Sequence, residues 1–210
     1  MHDATKQGFI ALAQKGAAPW ILEADIKACF DRISHEWLLD NVPLPKRILR
    51  QWLKSGYLSE LTLHATEEGT PQGGIISPIL CNMTLDGLEA LVIKGRNKKQ
   101  RKLNIIRYAD DFIVIGACPD YLRNEIKPDI ERFLADRGLM LSEEKTRISH
   151  IDDGFNFLGF TFRKFKHKLI VTSEKSKAPA LLKKAKALLK KFSGAPFHVM
   201  LAKLNSVLRG

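Results

Sequence analysis

The alternation of apolar and polar positions divides the chain into short strands and amphipathic helices. Trp20-Ile21-Leu22-Glu23-Ala24-Asp25 is an apolar run with Asp25 where it gives out, and it predicts a buried strand. Leu103-Asn104-Ile105-Ile106-Arg107 and Phe112-Ile113-Val114-Ile115 are rich in β-branched and aromatic residues. They predict two strands joined by a tight turn at Tyr108-Ala109-Asp110-Asp111. One helix, from about Thr5 to Lys15, precedes the first strand. Ser34 is placed to cap a helix through Trp37, Leu38 and Leu39. Ser77, with Pro78 at the first helical position, predicts another, with Leu80, Met83, Leu88 and Leu91 on one face. In the tail, Leu181, Leu182, Ala185, Leu188, Leu189 and Phe192 form one helical stripe. Ser193-Gly194-Ala195-Pro196 stops it, and a second amphipathic segment runs through Val199, Met200, Leu204 and Val207.

At 210 residues and 45% hydrophobic, the chain can bury a real core and suits one domain with an appendage. Its net charge of +11 is unevenly placed: residues 1–160 hold 21 Lys and Arg against 22 Asp and Glu, residues 161–210 hold 13 against 1. A basic element concentrated in the last quarter suits a polyanionic partner. A second basic run, Lys94 to Lys102, reads as an exposed loop, either solvated or touching a nucleic-acid duplex. Cys29, Cys81 and Cys118 form no C-x-x-C pair, and an odd count argues against a disulfide framework. The 6 histidines are scattered, without zinc spacing. No signal peptide is visible and no apolar run is long enough to span a bilayer, so a cytoplasmic, reduced chain without membrane partners is expected.

The chemistry is concentrated in three places. Asp110 and Asp111 sit side by side at a hairpin tip; adjacent anions repel, and a divalent cation relieves this, although Asp is also a common turn residue. Asp25 lies at the carboxyl end of a strand, where ligands tend to bind at a sheet rim, or it simply marks the strand end. Gly69-Thr70-Pro71-Gln72-Gly73-Gly74 can turn sharply and approach a ligand closely.

In this order the three segments resemble the reverse transcriptase family, most closely its group II intron-encoded type. Asp25 with the aromatic Phe30 looks like the first catalytic block, Pro71-Gln72-Gly73-Gly74 the template and nucleotide block, and Tyr108-Ala109-Asp110-Asp111 the second catalytic block. Gly138 to Thr146 is similar to the block that follows the hairpin, and Phe157-Leu158-Gly159-Phe160 to the primer-gripping turn. The resemblance implies an α+β polymerase palm, an antiparallel sheet of about four strands with helices on one face, followed by a basic helical extension. It implies a palm with a remnant of the fingers over 1–172 and the start of a thumb or maturase domain over 173–210. The implied reaction is RNA-directed DNA synthesis, an in-line attack of a primer 3′-hydroxyl on a nucleotide α-phosphate with two Mg²⁺ ions, Mn²⁺ being possible.

The implied roles follow residue by residue. Asp25 and Asp110 hold the metal ions, with Asp111 supporting and the backbone carbonyl of Ile26 contributing. Phe30 lies under the sugar and excludes a 2′-hydroxyl, or packs in the core. Gln72 touches the templating pair and Gly73 lets the backbone close on it. Tyr108 lies along the primer end, or is a cross-strand aromatic. Lys145 protonates the leaving pyrophosphate, or forms a surface ion pair with Glu143 or Glu144. Phe157, Leu158 and Gly159 grip the primer, and Lys183, Lys184, Lys186, Lys190 and Lys191 contact phosphates. A membrane-surface helix is the alternative for that lysine-rich tail, though it lacks Trp. The implied partners are an RNA template or intron RNA, a DNA primer and deoxynucleoside triphosphates. The chain opens at what resembles the end of a fingers region, so a truncated polymerase is expected. The alternatives are an RNA-binding splicing cofactor and an inactive palm remnant.

Overall fold

The computed structural model describes residues 2–54, 57–59, 62–64, 69, 76–94, 102–173, 177–194 and 196–209. Two inner strands, β1 (Trp20–Asp25) and β5 (Asp111–Gly116), form the centre of an antiparallel sheet of order β4-β5-β1-β6. Its edges are β4 (Asn104–Tyr108) and β6 (Arg147–His150). Both inner strands are buried along nearly their whole length, as their apolar runs require. The register sets Asp25 opposite Asp111, Glu23 opposite Ile113 and Ile21 opposite Ile115. Side chains alternate across the sheet, so Ile21, Glu23 and Asp25 share one face and Leu22 and Ala24 the other.

The Leu22 face is covered by helices. They are α2 (Cys29–Arg32), α3 (His35–Asn41), α4 (Lys46–Lys54), α5 (Ser77–Thr84), α6 (Leu88–Ile93) and a three-part helix. The last comprises α7 (Pro119–Tyr121), a π turn (Leu122–Ile126) and α8 (Lys127–Ala135). Leu38, Leu49, Leu80, Leu88, Ile130 and Leu134 meet Phe112 and Val114 in this core. Each such side chain withdrawn from water contributes about 1.5–3 kcal/mol. A small hairpin, β2 (Tyr57–Ser59) and β3 (Thr62–His64), lies between α4 and α5 in the chain.

The opposite face is covered as well, which the one-sided expectation missed. α1 (His2–Ala13) and a second antiparallel sheet pack there, made of β7 (Phe155–Phe157), β8 (Phe160–Phe165) and β9 (Lys168–Ser173). Leu12, Ile21, Ile113, Phe155 and Phe162 form this second core, with Phe155 stacked on Phe162 at 5.1 Å between ring centroids. Two helices follow, α9 (Lys177–Lys191) and α10 (Phe197–Arg209), packed on each other.

Local signals were read correctly in part. Ser34 caps α3, its hydroxyl accepting from the Trp37 N–H at 3.2 Å. Ser77 does not cap: it is the first residue of α5 and buried, and Ile76 takes the cap position without a side-chain bond. The single helix expected through Leu91 is broken, because Gly87 takes φ +90, a left-handed value that ends one helix and starts the next. The apolar stripe of α9 is not fully covered: among its residues whose side chains are described, Leu182 and Leu189 are exposed and Ala185, Leu188 and Phe192 are half-buried.

Candidate active site

β1 and β5 end together, so the pairing that builds the sheet also brings Asp25 beside Asp111. Between β4 and β5 the loop is Ala109-Asp110, and Ala109 takes φ +56, a strained value for a residue with a Cβ. Arg107 braces this tip from below. Its Nη1 donates to the Ala109 carbonyl and to Asn82 Oδ1, each at 3.2 Å, and its Nε donates to Glu89 Oε1 at 2.6 Å. The tip that carries Asp110 is thereby tied to α5 and α6.

The segment after α8 closes the other side. Ile26 bridges Leu141, the Ser142 N–H donates to the Asp25 carbonyl at 2.8 Å, and the Lys27 N–H donates to the Met140 carbonyl at 2.9 Å. These bonds bring Lys145 over the carboxylates, with Nζ 2.9 Å from Asp25 Oδ2. Its ammonium is held above the usual lysine value, chiefly by the hydrogen bond to Asp25, then by the Asp25 charge, with Asp111 and Asp110 adding. One cation therefore senses all three acids. Lys145 pairs with the strand-end acid, not with Glu143 or Glu144 in the surface pair that was its alternative reading. Beneath the site, the Cys29 thiol is kept protonated, first by its contact with Cys81 at 3.2 Å and then by burial; Asp110 and Asp25 push it further.

A cleft of about 490 Å³ opens over this face, lined by Asp25, Asp111, Lys145 and the turn Phe157-Leu158-Gly159. Phe157 and Leu158 are buried, so the turn presents mainly its backbone, with Leu158 at φ +52 and Gly159 at φ +80. Tyr108 is 42% exposed beside the tip. Phe30 is half-buried against the helical core, which is compatible with either reading of its role. Gln72 and Gly73 lie outside the described residues, but Gly69 ahead of them is seated on the first catalytic block. Its N–H donates to the Ile33 carbonyl at 3.0 Å and its own carbonyl meets His35 Nε2 at 2.5 Å. Lys183, Lys184, Lys186, Lys190 and Lys191 are exposed on α9, and none lines the cleft.

Sequence reasoning missed Glu23 and Arg107. Glu23 is buried on the Asp25 face and accepts from Arg147, Ser149 and the Asn156 N–H. The signal was present: a lone acid inside an apolar strand needs partners. Arg107 carried no such mark in a strand of mixed residues.

The donor set suits a hard divalent cation. Asp25, Asp110 and Asp111 offer carboxylate oxygens, the ligands that Mg²⁺ and Mn²⁺ prefer. Among the described residues no three His, Cys, Asp or Glu side chains are grouped closely enough to hold a metal ion by themselves. Mg²⁺ commonly takes only one or two carboxylates and completes its shell with substrate phosphates and water, so the residues fit an ion that arrives with a nucleotide.

The antiparallel sheet, with acids at the adjoining ends of its central strands and helices behind it, is consistent with a polymerase palm fold. Apo telomerase from Candida tropicalis superposes on it with a TM-score of 0.59 at 14% identity, over 88% of this chain and 39% of that one, a likeness of fold alone. Residues 2–162 match the family described as reverse transcriptase (RNA-dependent DNA polymerase). The group II intron-encoded protein LtrA of Lactococcus lactis subsp. cremoris is 29% identical over 230 residues, covering 79% of this chain and 38% of LtrA. The putative COX1/OXI3 intron 1 protein of Saccharomyces cerevisiae is 29% identical over 205 residues, 69% of this chain and 24% of that protein. The chain belongs to the reverse transcriptase family, and the two intron proteins are what it is similar to within it. It spans less than half the length of these curated relatives. Polymerases of this family use divalent metal ions. Among the described residues no helix is long and apolar enough to cross a membrane.

Proposed function

We propose that this chain is the catalytic palm of an RNA-directed DNA polymerase that extends a DNA primer on an RNA template. The observation that carries this is Asp25 beside Asp111 at the adjoining ends of the central strands, bonded by Lys145 in one cleft, with Asp110 next along the chain at the hairpin tip. In this reading Asp25 and Asp110 hold two Mg²⁺ ions, with Asp111 and the Ile26 carbonyl in support. When bound, the ions supply charge for the attacking and departing oxygens of the phosphoryl transfer. Phe30 lies under the sugar and excludes ribonucleotides. Gln72 and Gly73 meet the templating pair, and Tyr108 lies along the primer end.

Lys145 has a defined task in this scheme. Its ammonium pairs with Asp25 across 2.9 Å. Nζ would donate a proton to the departing pyrophosphate oxygen, and Asp25, its present partner, would be among the residues that hold the metal. The backbone of Phe157, Leu158 and Gly159 faces the primer from across the cleft. We place the palm and the fingers remnant at 1–172 and the start of the thumb at 173–210; β9 ending at Ser173 and α9 beginning at Lys177 support that division. Template or intron RNA, a DNA primer and deoxynucleoside triphosphates are the partners, and the cytoplasm is the compartment.

The test is extension of a DNA primer on an RNA template, by the chain alone and by the chain fused behind the N-terminal region of LtrA. Asp110→Ala should slow extension by roughly 10²- to 10⁴-fold. Undiminished extension in that variant would remove the assignment. The exposed lysines of α9 favour a second reading, an RNA-binding splicing cofactor. Tight RNA binding without any extension by either form would favour it.

A further inference from the structure

Glu23 is a buried acid that none of the steps above uses, and it is 8% exposed. Both of its carboxylate oxygens are engaged. Arg147 donates from Nε to Oε1 and from Nη2 to Oε2, each at 2.8 Å. The Ser149 hydroxyl donates to Oε1 at 2.7 Å, and the Asn156 N–H donates to Oε2 at 3.3 Å. A two-pronged guanidinium pair of this kind fixes the orientation of the carboxylate as well as its charge.

The last of these donors differs in kind. Arg147 and Ser149 belong to β6, in the same sheet as Glu23, whereas Asn156 belongs to β7, in the other sheet. Among the described residues the two sheets share no ladder. Main-chain bonds from the Lys164 N–H to the Ile151 carbonyl at 3.0 Å and from the Ile151 N–H to the Pro19 carbonyl at 2.8 Å tie β8 to the far end of β1. β7 itself meets β1 through the Glu23 carboxylate and apolar packing. β7 is an edge strand whose outward N–H at Asn156 is turned to Glu23. The residues that follow it are Phe157, Leu158 and Gly159, the turn that lines the cleft. Glu23 and Asp25 lie two residues apart on one face of β1, about 7 Å along the strand.

We infer that Glu23 is a positioning residue. Clamped by Arg147, its Oε2 holds the β7 main chain and so sets the distance between the turn Phe157-Leu158-Gly159 and the carboxylates of Asp25 and Asp111. What that distance does for a primer end rests on the polymerase reading above; the clamp itself does not.

Two substitutions separate this role from plain support of the fold. Glu23→Met keeps the volume and removes both acceptors. Glu23→Gln removes the charge, yet with its amide oxygen at the Oε2 place it still accepts from the Asn156 N–H and Arg147 Nη2. Its NH₂ group then faces Ser149, whose hydroxyl can turn to accept, and Arg147 Nε, which loses its acceptor. Amide hydrogen exchange at Phe157, Leu158 and Gly159 is the first readout. Loss of one holding hydrogen bond should speed it about tenfold in the Met variant and no more than about threefold in the Gln variant. Primer extension is the second: the Met variant should raise KM for primer–template about tenfold, leave KM for the nucleotide unchanged, and be rescued by Gln. Should Glu23→Met fail to fold, Asn156→Pro removes the same bond from the edge strand and should speed exchange at the turn equally. Unchanged exchange in the Met or Pro variant, or equal loss in Met and Gln, would overturn the inference. If the parent chain shows no extension, the exchange result still decides the clamp, and the polymerase reading fails separately.

Discussion

Lys145 is the residue on which the electrostatics of the site turn. Its side chain is 67% exposed, so its raised pKa reflects the Asp25 contact and not burial. The sign follows directly. A cation whose pKa is raised on folding stabilises the folded chain fully below 10.5, its usual value, and that contribution is lost as pH rises through the raised value. The Nζ titration, followed by NMR at the neighbouring carbon, should run above 10.5 in the parent and return toward it in Asp25→Asn. An unchanged titration in that variant would mean the ammonium answers to Asp110 and Asp111 instead. Phe30 can be separated from its packing in the same spirit. Phe30→Val should lower the deoxy-to-ribo ratio of kcat/KM by about ten- to a hundredfold, with some loss of stability from the half-filled space. A ratio that stays put would leave Phe30 as core alone. The three acids could be singled out from sequence because they fall in the order of the reverse transcriptase blocks around the Gly-rich segment; alone, an acid at a strand end or turn tip is ordinary. Glu23 and Arg107 could not be placed in the same way, since their partners lie far off along the chain: Arg147 is 124 residues from Glu23, and Arg107 reaches back 18 residues to Glu89 and 25 to Asn82.

Elements put those residues where they act, and close backbone approach is what joins them. Gly69 takes φ +77, and a Cβ there would lie 2.3 Å from the carbonyl carbon of Asp31. Backbone cannot yield as a side chain can, so Gly69→Ala should cost about 2–4 kcal/mol through the left-handed φ and the forced separation. Urea denaturation measures this directly; a loss within 0.5 kcal/mol, about the size of an ordinary surface change, would mean the turn is not seated as described. The same variant should weaken primer extension, because it parts the segment before Gln72 from the block that carries Asp25. Strands were readable because their apolar runs are compact and end at acids or turns. The span from Leu80 to Leu91 was misread as one helix because periodicity passes smoothly across Gly87, and only its left-handed φ reveals the break. The second covering layer was equally hidden. β8 and β9 carry Arg163, Lys164 and Lys168 among their apolar residues, with Lys166 in the turn between them, so their hydrophobic signal is weak, yet Phe155 and Phe162 suffice to bury one side.

Across the whole molecule, charge divides more sharply than structure does. Residues 161–210 hold 13 Lys and Arg against 1 acid, while the first 160 residues are nearly neutral. The proposed nucleotide centre is itself acidic at Asp25, Asp110 and Asp111, so in that reading a polyanion is attracted from elsewhere. The exposed lysines of α9 are suited to that task, and the exposed Leu182 shows that this helix is not held by a deep core of its own. If about four of Lys183, Lys184, Lys186, Lys190 and Lys191 neutralise phosphates, each releases condensed counterions, and the slope of log K against log salt steepens by roughly 3 to 4 units. Replacing all five by Gln preserves helix propensity, so the comparison isolates charge. RNA affinity at two salt concentrations, for the parent and the five-Gln variant, gives the two slopes. The variant should bind more weakly at low salt and converge on the parent at high salt, without preference among RNA sequences. Equal slopes would mean that these lysines serve only to keep the helix solvated, and the hold on the duplex would then have to lie in the basic strands β8 and β9.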